Sequence, residues 1–227
     1  MSKDKKDVFA YGGSGRGQRS IREPLQERSR KNMDRIMDSL ESLLEEKPFD
    51  RITMAELARK SGVGTSSIYA RFSDKSALIL GVHVRLRENA LQCLEDLVDP
   101  ARWEGASVDE IVRHIIPNVI HFYRKHAFLI RAALFVDDVV VRERQASVLR
   151  VAAEKLGDLF PAANPKGVKK VDMAIDASVR IVTSVMYSTL MFGDVSVIRT
   201  PVSDIELARQ LSRAVITLIS DAEVARS

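Results

Sequence analysis

Apolar residues recur with helical spacing from about residue 26 to the end of the chain, and no stretch alternates apolar and polar residues for long. Because a strand buried on one face requires that alternation, the pattern predicts an all-α fold. Proline, glycine and acidic breaks, including one at Pro161, divide the chain into about nine helices. We place these helices near residues 26–46, 53–60, 64–71, 74–98, 107–124, 127–136, 139–159, 168–192 and 203–221.

Three of the predicted helices begin with the same short pattern, a hydroxyl residue followed three positions later by glutamate. The pairs are Thr53 and Glu56, Ser107 and Glu110, and Ser203 and Glu206. In a capping box, the hydroxyl accepts a hydrogen bond from the amide of the glutamate, and the glutamate side chain accepts one from the amide of the hydroxyl residue. The sequence therefore predicts three capping boxes, each of which fixes the start of a helix.

Residues 53–71, TMAELARKSGVGTSSIYAR, predict two short helices joined by a tight turn. Gly62 lies where the turn favours a positive φ, and the small side chain of Ala58 allows the second helix to approach closely. The arrangement is typical of a DNA-binding helix-turn-helix, although an ordinary helical hairpin would share these features. The side chains expected to face inward or to fill the corner are Met54, Leu57, Ala58, Val63 and Ile68.

The surrounding sequence, PFDRITMAELARKSGVGTSSIYARFSDKSALI, resembles the DNA-binding domain of the tetracycline-repressor-like (TetR) family almost position by position. The resemblance is specific over residues 30–82 and only architectural thereafter. Gly64 stands where the family usually has a serine cap, and Ser66 stands where it usually has glycine. Glycine is still an acceptable cap, so these departures bear on the DNA sequence that is read rather than on DNA binding. The matching positions are Phe49, Ala58, Gly62, Val63, Ile68, Tyr69, Phe72 and Lys75.

The resemblance implies a three-helix helix-turn-helix domain at residues 25–75, followed by a helical effector-binding and dimerisation domain at residues 76–227. It further implies a homodimeric transcriptional regulator, a repressor that a small molecule releases from palindromic double-stranded DNA. Residues 1–24, which are rich in Gly, Ser and basic residues, predict a flexible arm in front of both domains.

Candidate DNA contacts follow from the recognition helix, which enters the major groove with its N-terminus first. The base-edge candidates are Thr65, Ser66 and Ala70, together with Arg71, which could bind guanine in bidentate fashion or remain a solvated surface charge. Tyr69 and Lys75 match positions that hold phosphates in the family, although Tyr69 could instead be half-buried. Lys75 also lies at a helix N-terminus, whose amides favour an anion. Thr53 and Ser67 are additional phosphate candidates.

The charge distribution supports a polyanionic partner. Residues 1–75 hold 16 Lys and Arg against 12 Asp and Glu, whereas residues 76–227 hold 19 of each, so the net charge of +4 lies in the N-terminal part. Arginines of the arm and of the first helix could enter a minor groove, or the arm could be an idle solubilising tail or a remnant of recombinant expression. These arginines are Arg16, Arg19, Arg22, Arg28 and Arg30.

The last two predicted helices suit a dimer interface. Helix 168–192 is uncharged from Ile181 onward and must be covered on all sides, yet this segment is too short to span a bilayer. Its apolar side consists of Val171, Ile175, Val182, Val185 and Met186, and a stripe of Ala177, Ser184 and Ser188 permits close approach of another helix. Helix 203–221 offers a matching face of Leu207, Leu211, Ala214, Val215 and Leu218. In the TetR family, two such helices from each subunit form a four-helix bundle.

The effector site is less well marked in the sequence. We expect a largely apolar pocket, for which the aromatic and methionine candidates are Trp103, Phe122, Phe128, Phe135, Met186 and Tyr187. His114, Asn118 and His121 lie on neighbouring turns of helix 107–124, but the two histidines fall outside its inner arc of apolar residues. We therefore interpret them as edge residues rather than as metal ligands.

Other functional classes receive little support from the sequence. No metal-ligand spacing, nucleophile-base pair or phosphate-binding loop indicates an enzyme, and no motif indicates a cofactor. A DNA-binding protein that acts architecturally, without an effector, remains an alternative. The lone Cys93 cannot form an intramolecular disulfide, and the first 25 residues lack the apolar core of a signal peptide, so the sequence predicts a cytoplasmic location.

Overall fold

The computed structural model of the chain describes residues 27–134, 139–163, 168–192 and 201–224. Within these ranges the chain forms nine α-helices, which confirms the predicted all-α fold. Short 3-10 helices occupy Phe49–Arg51 and Pro100–Arg102. The nine helices are α1 (Glu27–Glu46), α2 (Met54–Ser61), α3 (Thr65–Tyr69), α4 (Lys75–Leu97), α5 (Val108–Lys125), α6 (Ala127–Leu134), α7 (Val139–Ala163), α8 (Val168–Phe192) and α9 (Asp204–Val224).

The end of α7 differs most from its predicted position. The helix continues to Ala163, although a break was expected at Pro161. Leu159 and Phe160, which immediately precede the proline, are buried in a hydrophobic core. A proline removes one helical hydrogen bond, and here the tertiary packing of the preceding residues outweighs that loss.

Helix α5 begins with the one capping box that is complete among the three predicted. The Ser107 amide donates to the Glu110 carboxylate at 2.8 Å, and the Glu110 amide donates to Ser107 Oγ at 3.2 Å. The helix also contains Pro117, which supplies no backbone N–H to the helix. One turn nearer the start, the His114 carbonyl accepts an additional bond from Asn118 Nδ2 at 2.8 Å.

The other two predicted capping boxes are only half formed. The hydroxyl oxygens of Thr53 and Ser203 each accept a hydrogen bond from the backbone amide of the glutamate three positions later, as expected of an N-cap. The N···O distance is 3.2 Å in both cases. The glutamate side chains, however, do not return to the cap amide. Glu56 instead forms an ion pair with Lys47, and Glu206 binds two side chains of the next turn of its own helix. In both helices the glutamate carboxylate therefore binds a nearby basic side chain instead of the backbone amide of the cap residue.

The described residues divide into two compact units. The first unit extends to Glu88 and also includes the segment that begins at Phe128. The N-terminal half of α4 belongs to this unit because its apolar residues are buried with α1, α2 and α3, and Leu129 of α6 joins the same core. The core includes Met33, Ile36, Leu40, Leu57, Ile68, Phe72, Ala77, Leu78, Leu80 and Leu129.

The second unit comprises Asn89–Ala127 and the described residues from Arg142 onward. Helix α9 packs against both α5 and α8, and the C-terminal part of α4 and the end of α7 complete the core. The buried side chains include Leu97, Ile111, Val112, Ile116, Leu159, Ile175, Met186, Leu211 and Val215. None of the described helices has an apolar segment of the length that crossing a membrane requires.

The conformation of Gly62 allows the turn between α2 and α3 to be tested by substitution. Gly62 has φ 63° and ψ 24°, which is the left-handed conformation predicted for it, whereas Gly64 has φ −59°. We expect Gly62→Ala to lower the free energy of unfolding by about 1–2 kcal/mol, because a Cβ atom is strained at positive φ. Gly64→Ser is the matched control and should leave the stability unchanged or slightly raised, because serine is a preferred N-cap. Urea unfolding of both variants measures the difference, and equal stabilities would contradict this account of the turn.

Candidate DNA-binding surface and ligand cavity

The turn between α2 and α3 is held by buried groups. The side chains of Val63 and Ile68 are buried in the first core, as predicted for the corner between the two helices. The Ser61 side chain is also buried, and its Oγ atom accepts a hydrogen bond from the Val63 amide at an N···O distance of 3.3 Å. These contacts fix the angle at which α3 leaves the turn, and they leave the opposite side of α3 at the surface.

The exposed side of α3 consists almost entirely of hydroxyl groups. Thr65, Ser66 and Ser67 are all exposed, and Ala70 follows them on the surface just after the helix ends. Tyr69 is 50% exposed, so its hydroxyl is not enclosed in the core. The face therefore presents small hydrogen-bonding groups and a methyl group, all of which suit contact with base edges and phosphates.

Two further predicted contacts have partners within the chain. Thr53 caps α2 through its hydroxyl oxygen, which leaves the hydroxyl hydrogen as a donor for a phosphate oxygen. Arg71 is partly buried, and this burial lowers the pKa of its guanidinium. Arg71 also takes part in an interaction within the chain, so it is not a purely solvated surface charge.

Lys75 has intramolecular contacts that the sequence did not indicate. Its ammonium donates to the carbonyl of Asp50 at 2.9 Å and lies 4.8 Å from the centre of the Phe49 ring. An ammonium carries three hydrogens, so donors remain for a phosphate. The N-terminus of α4 is less open to an anion than predicted, because the carboxylate of Asp74 accepts the Ala77 amide at 2.8 Å.

An apolar cavity of about 170 Å³ lies within the second unit. Its wall is formed by α4, α5, α7, α8 and α9, and most of its lining is aliphatic. The lining includes Ala90, Cys93, Leu94, Leu97, Val112, Ile115, Val119, Phe122, Tyr123, Val148, Ala152, Leu156, Val179, Val182, Thr183 and Val215. No local pattern marks this set, because each helix contributes only a few of its inward residues.

Of the six aromatic and methionine residues predicted for the effector site, Phe122 lines this cavity. Trp103 packs against the second core and donates its indole N–H to the Leu97 carbonyl at 2.8 Å, and Met186 is fully buried in the same core. Tyr187 contacts the lining residue Tyr123 edge to face, with the ring centres 5.7 Å apart. Phe128 packs in the first unit, and Phe135 lies outside the described residues. The predicted arm, residues 1–24, also lies outside them.

The histidines of α5 occupy the edge of the helix, as predicted. His121 is exposed, and His114 is half-buried with its Nε2 atom 3.1 Å from a guanidinium nitrogen of Arg102. The His114 ring also lies edge to face with Trp103, with centres 5.2 Å apart. Across the described ranges, no group of three or more His, Cys, Asp or Glu residues is placed to hold a metal ion.

The outer face of α8 carries exposed apolar and small side chains. Ser184 and Ser188 of the predicted stripe are exposed, and large apolar residues flank them along the same helix. The expectation for α9 was wrong in part, because Leu211 and Val215 of its proposed partner face are buried in the chain's own core. The exposed apolar residues of α8 are Met173, Ile181, Met191 and Phe192.

Comparison with known proteins identifies the helix-turn-helix. The sequence model of the tetR family of bacterial regulatory proteins matches residues 36–82, from the middle of α1 into α4. Residues 36–82 therefore form a tetR-family domain. The match contains the whole of α2 and α3, the two helices on either side of the turn at Gly62. No curated protein matches the sequence.

Solved structures of similar fold extend the likeness to most of the chain. A TetR transcriptional regulator from Rhodococcus sp. RHA1 has 19% identity and a TM-score of 0.51, covering 86% of this chain and 98% of the other. A tetR-family regulator from Streptomyces coelicolor has 14% identity and a TM-score of 0.59, with coverages of 86% and 83%. The regulator FadR from Bacillus subtilis, solved in complex with stearoyl-CoA, has 14% identity and a TM-score of 0.54, with coverages of 82% and 97%. At these identities the likeness establishes the fold alone.

Proposed function

We propose that this tetR-family regulator is a homodimeric repressor that binds a roughly palindromic operator and releases it when a small apolar molecule occupies the cavity. The observation that carries the DNA-binding part is the exposed hydroxyl face of α3, which the buried side chain of Ile68 holds in place. Thr65, Ser66 and Ala70 contact base edges in this proposal, and Arg71 supplements them. Thr53, Ser67, Tyr69 and Lys75 bind phosphates.

The exposed face of α8 supports the homodimer. Ser184 and Ser188 are small and four residues apart, Met191 follows Ser188 by three residues, and Met173 lies three turns before Ser184 on the same face. A second copy would cover these apolar side chains, and the small residues would let two α8 helices approach closely. One recognition helix per subunit then requires two half-sites whose centres lie about one helical turn, ~34–36 Å, apart.

Helix α4 supports coupling between ligand and DNA. It begins at Lys75, beside the recognition helix, and its residues Ala90, Cys93, Leu94 and Leu97 line the cavity. A ligand that changes the position of this helix in the second unit therefore acts on an element that continues into the first. The Bacillus subtilis FadR complex provides a precedent for a ligand-bound protein of this fold.

The alternative is a DNA-binding protein that acts architecturally, without an effector. Thermal-shift measurements with a broad set of small molecules separate the two functions. Reproducible stabilisation by apolar compounds supports a ligand-controlled regulator, and the absence of any stabilisation would favour the architectural function. In either case we propose a non-enzymatic protein that acts in the bacterial cytoplasm, where the DNA lies.

Substitutions in the recognition region test the assigned contacts. We expect Lys75→Ala to weaken binding nearly equally on all DNA sequences and to reduce the salt slope by about one, because a phosphate contact carries no base information. Thr65→Ala and Ser66→Ala should instead change the preference among sequences, at a cost of about 1–3 kcal/mol at one base position. DNA titrations at several salt concentrations measure both effects.

Lys125→Ala is the control for these titrations, because Lys125 is an exposed lysine at the end of α5. It should leave both the affinity and the salt slope unchanged. Equal salt slopes for the wild type and for Lys75→Ala would remove Lys75 from the phosphate contacts. Circular dichroism of Lys75→Ala checks that loss of its bond to the Asp50 carbonyl does not unfold the domain.

A further inference from the structure

The wall of the cavity in the second unit is poorly suited to a charged ligand. Among the described residues, those that line it include no Asp, Glu, Lys, Arg or His, and the lining side chains with polar or sulfur atoms are Cys93, Tyr123, Ser178 and Thr183. Ser178 donates its hydroxyl hydrogen to the Ala174 carbonyl at 2.7 Å, so this donor is already used. A carboxylate or ammonium group inside the cavity would lose its hydration without gaining a counter-ion.

One hydrogen-bonded group interrupts the apolar wall. The Tyr123 hydroxyl is hydrogen-bonded to Thr183 and to Tyr187, and both Tyr123 and Thr183 line the cavity. Burial raises the pKa of Tyr123 and of Tyr187, so both phenols stay neutral under physiological conditions. The hydroxyl oxygens keep lone pairs that can accept from a ligand hydroxyl, and rotation of one hydroxyl away from its neighbour would let it donate to a ligand carbonyl.

The thiol in the wall does not act as an anion. Burial, assisted by the nearby charge of Asp96, raises the pKa of Cys93. The thiol is therefore protonated at neutral pH and adds to the apolar lining as a small, weakly polar group. Covalent capture of an electrophile is not favoured at this position, and the ligand must be held by packing and by the hydroxyl group.

The volume of the cavity limits the size of its ligand. Cavities of about 150 Å³ lined by aliphatic and aromatic side chains bind benzene. The cavity of about 170 Å³ in this regulator therefore suits one substituted ring or a comparably compact molecule. An acyl chain of the length found in stearoyl-CoA is larger than this volume.

We propose that the ligand of this cavity is a compact, uncharged molecule of single-ring size, apolar over most of its surface, whose one hydroxyl or carbonyl oxygen binds the Tyr123–Thr183 pair. This inference rests on the proposed function, since it takes the cavity to be the effector site. It goes further in that it names the class of ligand and the residues that select it. Phenols and cyclic ketones belong to this class, whereas carboxylates and acyl-CoA thioesters do not.

Isothermal titration of the full-length protein with four probes tests the ligand class. We expect 4-methylphenol to bind roughly three- to tenfold more tightly than toluene, because it adds one hydrogen bond at the same size. Benzoate and stearoyl-CoA should show no saturable binding at the concentrations at which 4-methylphenol saturates. The proposal is overturned if none of the probes binds, if toluene binds as tightly as 4-methylphenol, or if either charged probe binds as well as 4-methylphenol.

Hydroxyl deletions on the cavity wall assign the contact. Tyr123→Phe and Thr183→Val should each reduce the preference for 4-methylphenol over toluene while toluene binding persists. Thr189→Val is the matched control on α8, because Thr189 does not line the cavity and donates its hydroxyl to the Val185 carbonyl at 2.8 Å. An unchanged preference in both cavity variants, or an equal loss in Thr189→Val, would overturn the assignment. Because Thr183→Val changes the side-chain volume little, it keeps the test valid if Tyr123→Phe fails to fold.

These titrations contain no DNA, so their outcome is separate from that of the proposed function. Failure of every probe to bind, in a protein that still recognises a specific operator, overturns only the ligand class. Failure to bind any specific DNA would instead count against the proposed regulator, whatever the probes do.

Discussion

Replacement of Ser184 by arginine is expected to convert the regulator into a monomer and to weaken operator binding by at least 100-fold. Ser184 is an exposed residue within the small-residue stripe of α8, where we place the contact with a second copy. Burying an arginine there without a partner costs about 3–5 kcal/mol, and each ~1.4 kcal/mol corresponds to a tenfold change in an equilibrium constant. A monomer could then engage only one half-site at a time.

Light scattering and DNA titration of the Ser184→Arg variant measure these two effects. Gln92→Arg is the control, because it adds the same charge at an exposed position of α4 where Asp96 is within hydrogen-bonding distance. This control should remain dimeric and should bind the operator as the wild type does. If Ser184→Arg stays dimeric, the interface lies elsewhere on the chain.

Occupation of the cavity is expected to weaken operator binding about 100-fold. Such an effect requires the ligand to favour the non-binding conformation by about 2.7 kcal/mol. Its structural basis is α4, which continues from Lys75 beside the recognition helix to Leu97 in the cavity wall. By thermodynamic linkage, operator DNA must weaken ligand binding by the same factor.

Titration of the tightest-binding neutral probe with and without saturating operator measures this linkage. The two dissociation constants should differ by the factor by which the probe weakens DNA binding. A probe that binds equally well in both conditions is not an inducer, and that result would remove the support for coupling through α4. A DNA duplex of unrelated sequence, at a concentration too low to bind, is the control.

Helix positions could be predicted closely because the signals that set them are local. The hydroxyl caps at Thr53, Ser107 and Ser203 lie within one turn of the helix ends that they fix. The exception at the end of α7 arises where buried residues before Pro161 hold the helix together, and such packing is not visible in local sequence. The glutamate half of a capping box also depends on distant partners, as the Lys47–Glu56 ion pair demonstrates.

Some of the candidate sites could be predicted from the sequence, and others could not. The exposed face of α3 could be anticipated from the turn at Gly62 and from the family resemblance, because both are encoded in one short stretch. The apolar face of α9 has the same periodicity whether it meets its own chain or a partner, and in this structure Leu211 packs in its own chain. The cavity draws a few residues from each of several helices, so Tyr123 and Thr183 had no signal in the sequence.

Selection of DNA by the purified protein from random duplexes tests the proposed dimeric regulator directly. We expect enrichment of one roughly palindromic sequence whose two half-sites have centres about 34–36 Å apart, and we expect Ser66→Ala to change the selected bases. Failure to enrich any sequence, or enrichment of a single half-site without a symmetric partner, would contradict a dimeric regulator that reads DNA through α3.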